Sequence, residues 1–125
     1  MDVTPLIPQG RQIIESYGGG GFTVTGAVYR GSILVLPDWT GAWALGAIGE
    51  LSIDSLEPVL AATPPIEVLL LGCGPAMAFI EPELRAAARA RGVALEPMDT
   101  GAACRTYNVL VAEDRRVAAA LIAVD

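Results

Sequence analysis

An α/β fold is predicted by three observations. The second half of the chain alternates apolar strand-like runs with helical patterns, which implies parallel strands joined by crossover helices. The first half carries short β-prone runs punctuated by glycines, which implies antiparallel hairpins. With 53% apolar residues in 125, the chain is long enough for one domain, residues 1–125, that buries roughly two-thirds of its unfolded surface.

Taken in order, Gln12 to Tyr17 and Phe22-Thr23-Val24-Thr25 flank Gly18-Gly19-Gly20-Gly21 and read as a hairpin. No helical pattern follows these glycines, so they serve turn geometry rather than phosphate binding. Val28 to Leu36 reads as a further strand pair ended by Pro37-Asp38. Trp39 to Gly49 is apolar and holds both tryptophans; core packing and an interaction surface are both open for Trp39 and Trp43. Asp54-Ser55-Leu56-Glu57 has the spacing of a capping box, with Asp54 as N-cap of a short helix that Pro64-Pro65 stop. Ile66 to Leu71 reads as a strand covered on both faces, followed by Gly72-Cys73-Gly74-Pro75. Pro82 opens the next helix, Glu81 and Arg85 are spaced to pair, and Gly92 ends it. Val93 to Met98 is a strand, Asp99 to Ala112 a helix, and Val117 to Val124 a closing strand.

Composition removes several chemistries. There is no histidine, and all eight basic residues are arginines, so histidine-activated nucleophiles, Schiff-base lysines and the phosphate-loop lysine are absent. Two cysteines without Cys-x-x-Cys spacing give no metal site, and no cofactor is expected. A net charge of −6, with seven acids and no arginine between Gly31 and Leu84, argues against nucleic acid and favours a basic or mixed-charge protein partner. The apolar run from Val68 to Ile80 is broken by Gly72, Gly74 and Pro75 and falls short of the roughly 20 residues of a membrane span. Met1-Asp2-Val3-Thr4-Pro5 lacks a basic-then-apolar leader, so the expected compartment is the cytoplasm. Self-association to a homodimer is a further expectation for so apolar a small domain.

The richest polar segment is Met98 to Asn108, which holds the only asparagine and one of the two cysteines. Loops leaving the carboxyl ends of adjacent parallel strands meet at one edge, so Gly72, Cys73 and Gly74 should neighbour Asp99 and Thr100 across a crevice. Amides at the helix start would face it, with Arg105 one turn on as an anion clamp. Ala103, Tyr107, Leu110 and Val111 form the apolar stripe that packs on the sheet. A purely structural reading is equally open: Asp99 or Thr100 caps the helix, Arg105 is solvated and Tyr107 is core. Asn108, disfavoured inside a helix, is expected to hold the Gly72 loop through backbone bonds.

The segment Met98-Asp99-Thr100-Gly101-Ala102-Ala103-Cys104-Arg105-Thr106-Tyr107-Asn108-Val109-Leu110, followed by Glu113 and Arg116-Val117-Ala118, resembles the signature of an uncharacterised bacterial and archaeal domain family. That family includes the mitochondrial NADH:ubiquinone oxidoreductase (complex I) assembly factor 3. The Tyr17/Phe22 hairpin, Ser32 to Pro37, Trp43, Leu69 to Gly74 and Pro82-Glu83-Leu84 fall in the family's order. The resemblance implies a three-layer β/β/α-type sandwich with a mixed sheet and a hammerhead-like β portion. It implies no established enzymatic activity, and for the mitochondrial relative a chaperone-like role in building a membrane respiratory complex.

The leading expectation is a non-enzymatic protein-interaction module, in its sharper form an assembly factor for a respiratory or other membrane complex. It would bind through Gly72, Gly74, Asp99, Thr100, Arg105, Tyr107, Asn108 and Trp43. The alternative is a small-molecule or redox enzyme in the same crevice, with Asp99 as acid/base, Cys73 or Cys104 as nucleophile and Arg105 as anion clamp.

Overall fold

The computed structural model describes residues 10–125, so the Met1 to Pro5 segment read for targeting lies outside the described residues. β1 (Ile14–Gly18), β2 (Gly21–Val24) and β3 (Ala27–Arg30) form an antiparallel sheet in that order. The β1–β2 turn centres on Gly19 and Gly20, both left-handed at φ 62° and 81°, a conformation that matches strand twist and that glycine adopts without a Cβ clash. A bulge between Ile14 and Ser16 shifts the register of β1 against β2.

β4 (Ile33–Leu36), β5 (Trp39–Ala42), β6 (Val68–Gly72), β7 (Ala94–Met98) and β8 (Val117–Leu121) make a mixed sheet ordered β5-β4-β8-β6-β7. β4 is antiparallel to β5 and β8, whereas β6 is parallel to β7 and β8. One reading is corrected here, and one strand appears where no element was assigned. The strand pair expected over Val28 to Leu36 is split between sheets: β3 pairs with β2, and β4 pairs with β5 and β8. Trp39 to Ala42 is itself a strand, an edge of the larger sheet.

α1 (Glu57–Leu60) follows a 3-10 turn over Asp54–Leu56. The reciprocal cap at its entrance is made by Ser52 and Ser55, whose hydroxyls accept from each other's amides at 3.2 and 3.1 Å, in place of the expected Asp54–Glu57 box. Glu57 instead pairs with Arg91. α2 (Pro82–Ala90) opens on proline as expected, but the Arg85 guanidinium donates to the Leu95 carbonyl at 2.8 Å rather than to Glu81. α3 (Thr100–Ala112) is capped by Asp99, whose carboxylate accepts from the Ala102 amide.

Side-chain alternation along the five-stranded sheet divides the core in two. Leu34, Leu36, Leu69, Leu71, Ala118 and Ala120 face α1, α2 and the 43–53 segment. Ile33, Val35, Leu70, Val117, Ala119 and Leu121 face Ala103, Tyr107 and Val111 of α3 together with Ile14, Phe22 and Val24 of the smaller sheet. The result is the layered α/β architecture with a mixed sheet that the family resemblance implies.

The connection from β6 runs over one face through α2, and that from β7 returns over the other through α3. The sheet therefore has its switch point between β6 and β7, the place where such folds open a crevice. Here it is stitched shut. Cys73 N–H donates to the Met98 carbonyl at 2.8 Å, Thr100 N–H to Gly74 at 2.9 Å and Ile122 N–H to Gly72 at 2.9 Å. The fully buried Thr100 hydroxyl accepts from Gly74 N–H at 3.0 Å and donates to the Ile122 carbonyl at 2.8 Å. Thr100→Val keeps the shape and orphans both groups, each worth ~1–3 kcal/mol when buried unpaired. Urea unfolding should show a loss of ~3 kcal/mol; a loss below ~1 kcal/mol would contradict the latch.

Candidate functional site

The expected neighbours do meet: Gly72, Cys73 and Gly74 lie against Asp99 and Thr100. They meet without leaving a cleft. A Cβ on Gly72 would stand 2.8 Å from Leu121 Cδ2 and 3.1 Å from Thr100 Cα, so the space an anion would need is filled by protein. The helix start is covered as well. Asp99 occupies the Ala102 amide at 3.0 Å, and a Cβ on Gly101 would stand 2.5 Å from Tyr17 Oη. The positive end of α3 is thus satisfied by a carboxylate and roofed by a tyrosine, which corrects the open crevice expected there.

The open depression lies one step away, between β1 and α3. It is a groove of about 410 Å³ walled by Ile14 to Tyr17 on one side and by Cys104, Arg105 and Asn108 on the other. Helical spacing accounts for its wall: Cys104, Arg105 and Asn108 recur at three and four residues and face β1. Thr100, Ala103, Tyr107 and Val111, a neighbouring row, are buried. Tyr17 is half-exposed, and its hydroxyl accepts from Arg105 Nη1 at 3.1 Å. That bond holds an exposed guanidinium at the groove mouth.

Asn108 works differently from the expectation. It holds Ile14, not the Gly72 loop: Oδ1 accepts from Ile14 N–H at 2.9 Å and Nδ2 donates to the Ile14 carbonyl at 2.7 Å. Ile14 presents these groups on the side of β1 away from β2, because Ile13 turns its own toward Thr25. Tyr107, fully buried, donates to the Gln12 carbonyl at 2.9 Å and lies 3.2 Å from that of Leu36, joining the residues before β1 to the end of β4. Burial, the largest cause, pushes its phenol well above the ordinary range.

Trp43 is 6% exposed, and its indole donates to the Ser55 carbonyl at 2.9 Å. The structure makes it a core residue, which corrects its assignment to a binding surface; Trp39 is exposed on β5. Cys73 and Cys104 belong to the cores on opposite faces of the five-stranded sheet and do not form a pair. Burial pushes the Cys104 thiol up to about 12, with only a partial offset from the Arg105 charge. Among the described residues no three of His, Cys, Asp and Glu cluster as metal ligands would. Sequence reasoning placed Tyr17 only in a hairpin and missed it as a groove residue. The signal available in the sequence was an aromatic residue immediately before four glycines.

Comparison with known proteins sets this groove in a family context. An assembly factor of Xenopus tropicalis, NADH dehydrogenase (ubiquinone) 1 alpha subcomplex assembly factor 3, is 37% identical over 109 residues. The match takes in 87% of this chain and 60% of that protein, so the chain spans about three-fifths of the length of such relatives. An uncharacterized protein of Rhodobacter capsulatus is 38% identical over 109 residues, covering 87% of this chain and 82% of the relative. A crystal structure described as an outer membrane protein of Bartonella henselae superposes with a TM-score of 0.85 at 39% identity, covering 93% of this chain and 98% of that one. No helix among the described residues of the present chain is long and apolar enough to cross a membrane. A family model described as a protein of unknown function, DUF498/DUF598, matches residues 14–122, and the chain belongs to that family.

Proposed function

We propose that this chain is a non-enzymatic protein-interaction module that assists the assembly of a respiratory or other membrane complex, and that it engages a partner at the β1–α3 groove. The observation that carries this reading is the arrangement of Tyr17 and Arg105. An exposed guanidinium, held by a tyrosine hydroxyl at 3.1 Å, sits in a groove that Ile14, Tyr17 and Cys104 line together with the polar Glu15, Ser16 and Asn108. Arginine and tyrosine are the residues that anchor protein interfaces, because each combines apolar area with directional hydrogen bonding. Relatives named as complex I assembly factors supply the kind of process in which such a surface is used.

The groove offers little to a reaction. Its thiol, Cys104, is protonated throughout the neutral range, and the nearby carboxylate of Asp99 is committed to the helix cap. The closed switch point leaves Cys73 in the core.

Two outcomes follow. Arg105→Glu, shown to be folded by circular dichroism, should lose specific partners that the parent protein recovers from native extract with detergent-solubilised membranes included. Equal recovery by both proteins would refute the groove as the docking surface. In a Cys73→Ser background, labelling of Cys104 should stay slow and show no midpoint between pH 6 and about 9, since burial favours the thiol over the thiolate. A midpoint near neutrality would instead revive a thiolate enzyme.

A further inference from the structure

We propose that a second docking surface lies on the opposite face of the molecule, where a shallow apolar groove beside Phe79 takes a partner segment bearing an apolar side chain flanked by Lys or Arg. The chain leaves β6 at Gly72 and reaches α2 at Pro82 through a loop in which Met77 and Phe79 are 67% and 82% exposed. These are not frayed positions. Ile80, the next residue, is buried in the core, so the loop is pinned directly beside its most exposed aromatic ring.

Phe79, Ile80 and Leu84 form one side of a groove of about 160 Å³, and Ile48 and Leu51 form the other. A volume of that order accommodates an anchoring side chain rather than a metabolite. The groove is also firm on the Ile48 side: Glu50 Oε1 accepts from the amides of Gly46 and Ala47, both at 2.9 Å, which fixes the turn. Exposed apolar surface on a rigid support is the ordinary mark of an interaction site.

Charge selects the partner. Glu81 lines the groove, Glu50 lies in the turn on one side, and Glu83 lies in the first turn of α2 on the other; all three are exposed. No arginine occurs between Gly31 and Leu84, and Arg85 directs its guanidinium to the Leu95 carbonyl. Among the described residues the ion pairs are Arg11 with Asp114 and Arg91 with Glu57, so none of these three acids is neutralised by one. An apolar slot with Glu81 in its wall and Glu50 and Glu83 next to lining residues in the chain matches a cationic amphipathic segment and repels an anionic bilayer surface. Ile48, Leu51, Ile80 and Leu84 of the lining pack in the core that faces α1 and α2, whereas Ile14 and Cys104 of the Arg105 groove belong to the other core. The two surfaces are therefore separate, and this one stands independently of the Arg105 reading.

Calorimetric titration with a short amphipathic leucine–lysine peptide tests the proposal, with a leucine–glutamate peptide and neutral phosphatidylcholine vesicles as counter-probes. The parent protein should bind the cationic peptide. Phe79→Ser, and separately the pair Glu81→Lys and Glu83→Lys, should each weaken it about tenfold or more. Glu67→Lys with Glu113→Lys makes the same change in net charge at exposed sites outside the groove and should leave affinity within about twofold. All substituted residues are exposed, and thermal melts confirm that each variant is folded. Equal weakening by the remote pair, indifference to Phe79→Ser, or vesicle binding that depends on Phe79 without peptide binding would overturn the proposal.

Discussion

The side-chain amide of Asn108 is bonded to both backbone groups of Ile14, and that pair of bonds ties β1, the outer strand of the smaller sheet, to α3. β1 is an edge strand, and an edge strand carries unpaired N–H and C=O groups along its free side. A primary amide sets an N–H donor beside a carbonyl acceptor, and Asn108 turns one of its two N–H groups and its oxygen to Ile14, so it acts as a one-residue neighbouring strand. Leaving the two Ile14 groups unpaired would cost ~1–3 kcal/mol each where water is excluded. The chain's only asparagine thus stands where a helix would ordinarily disfavour it, because a tertiary contact outweighs a propensity term of ~0.7 kcal/mol.

From this tie the rest of the site follows. Fixing Ile14 against α3 seats Ile14, Phe22 and Val24 on the same core as Tyr107 and Val111. The bulge after Ile14 then carries Tyr17 up to the start of α3, where its ring roofs Gly101 and its hydroxyl meets Arg105. Tyr107 fastens the segment before β1 from below through the Gln12 carbonyl, and the Gln12 amide donates to Pro37 at 2.8 Å. The groove is consequently a seam between a helix and a docked edge strand. Its shape depends on tertiary hydrogen bonds rather than on any single loop, which suits recognition of a partner surface.

Much of this was legible before the fold was known. Glycines at 18–21 marked the hairpin, Asp99 marked the cap of α3, and strand and helix order brought Gly72 and Gly74 to Asp99 and Thr100. What periodicity does not carry is sheet membership. β3 and β4 are both β-prone and separated by two residues, yet Gly31 N–H bonds back to Gly20 while Ser32 turns to Ala123 and Trp43, so the chain crosses from one sheet to the other. Spacing likewise places Asn108 on a helix face without saying which strand that face meets. The closure of the β6–β7 switch point was hidden for a related reason: its stitches are backbone groups and one threonine hydroxyl, and backbone bonds leave little trace in residue identity.

Native-state hydrogen exchange at the Ile14 amide, compared between the parent protein and Asn108→Leu, tests the clamp most directly. The account predicts protection at Ile14 in the parent, a loss of at least about tenfold in the variant, and retained protection in β6 and β8. Unchanged protection at Ile14 in a variant lacking the amide would show that the smaller sheet is held by packing alone and would contradict the central role given to Asn108.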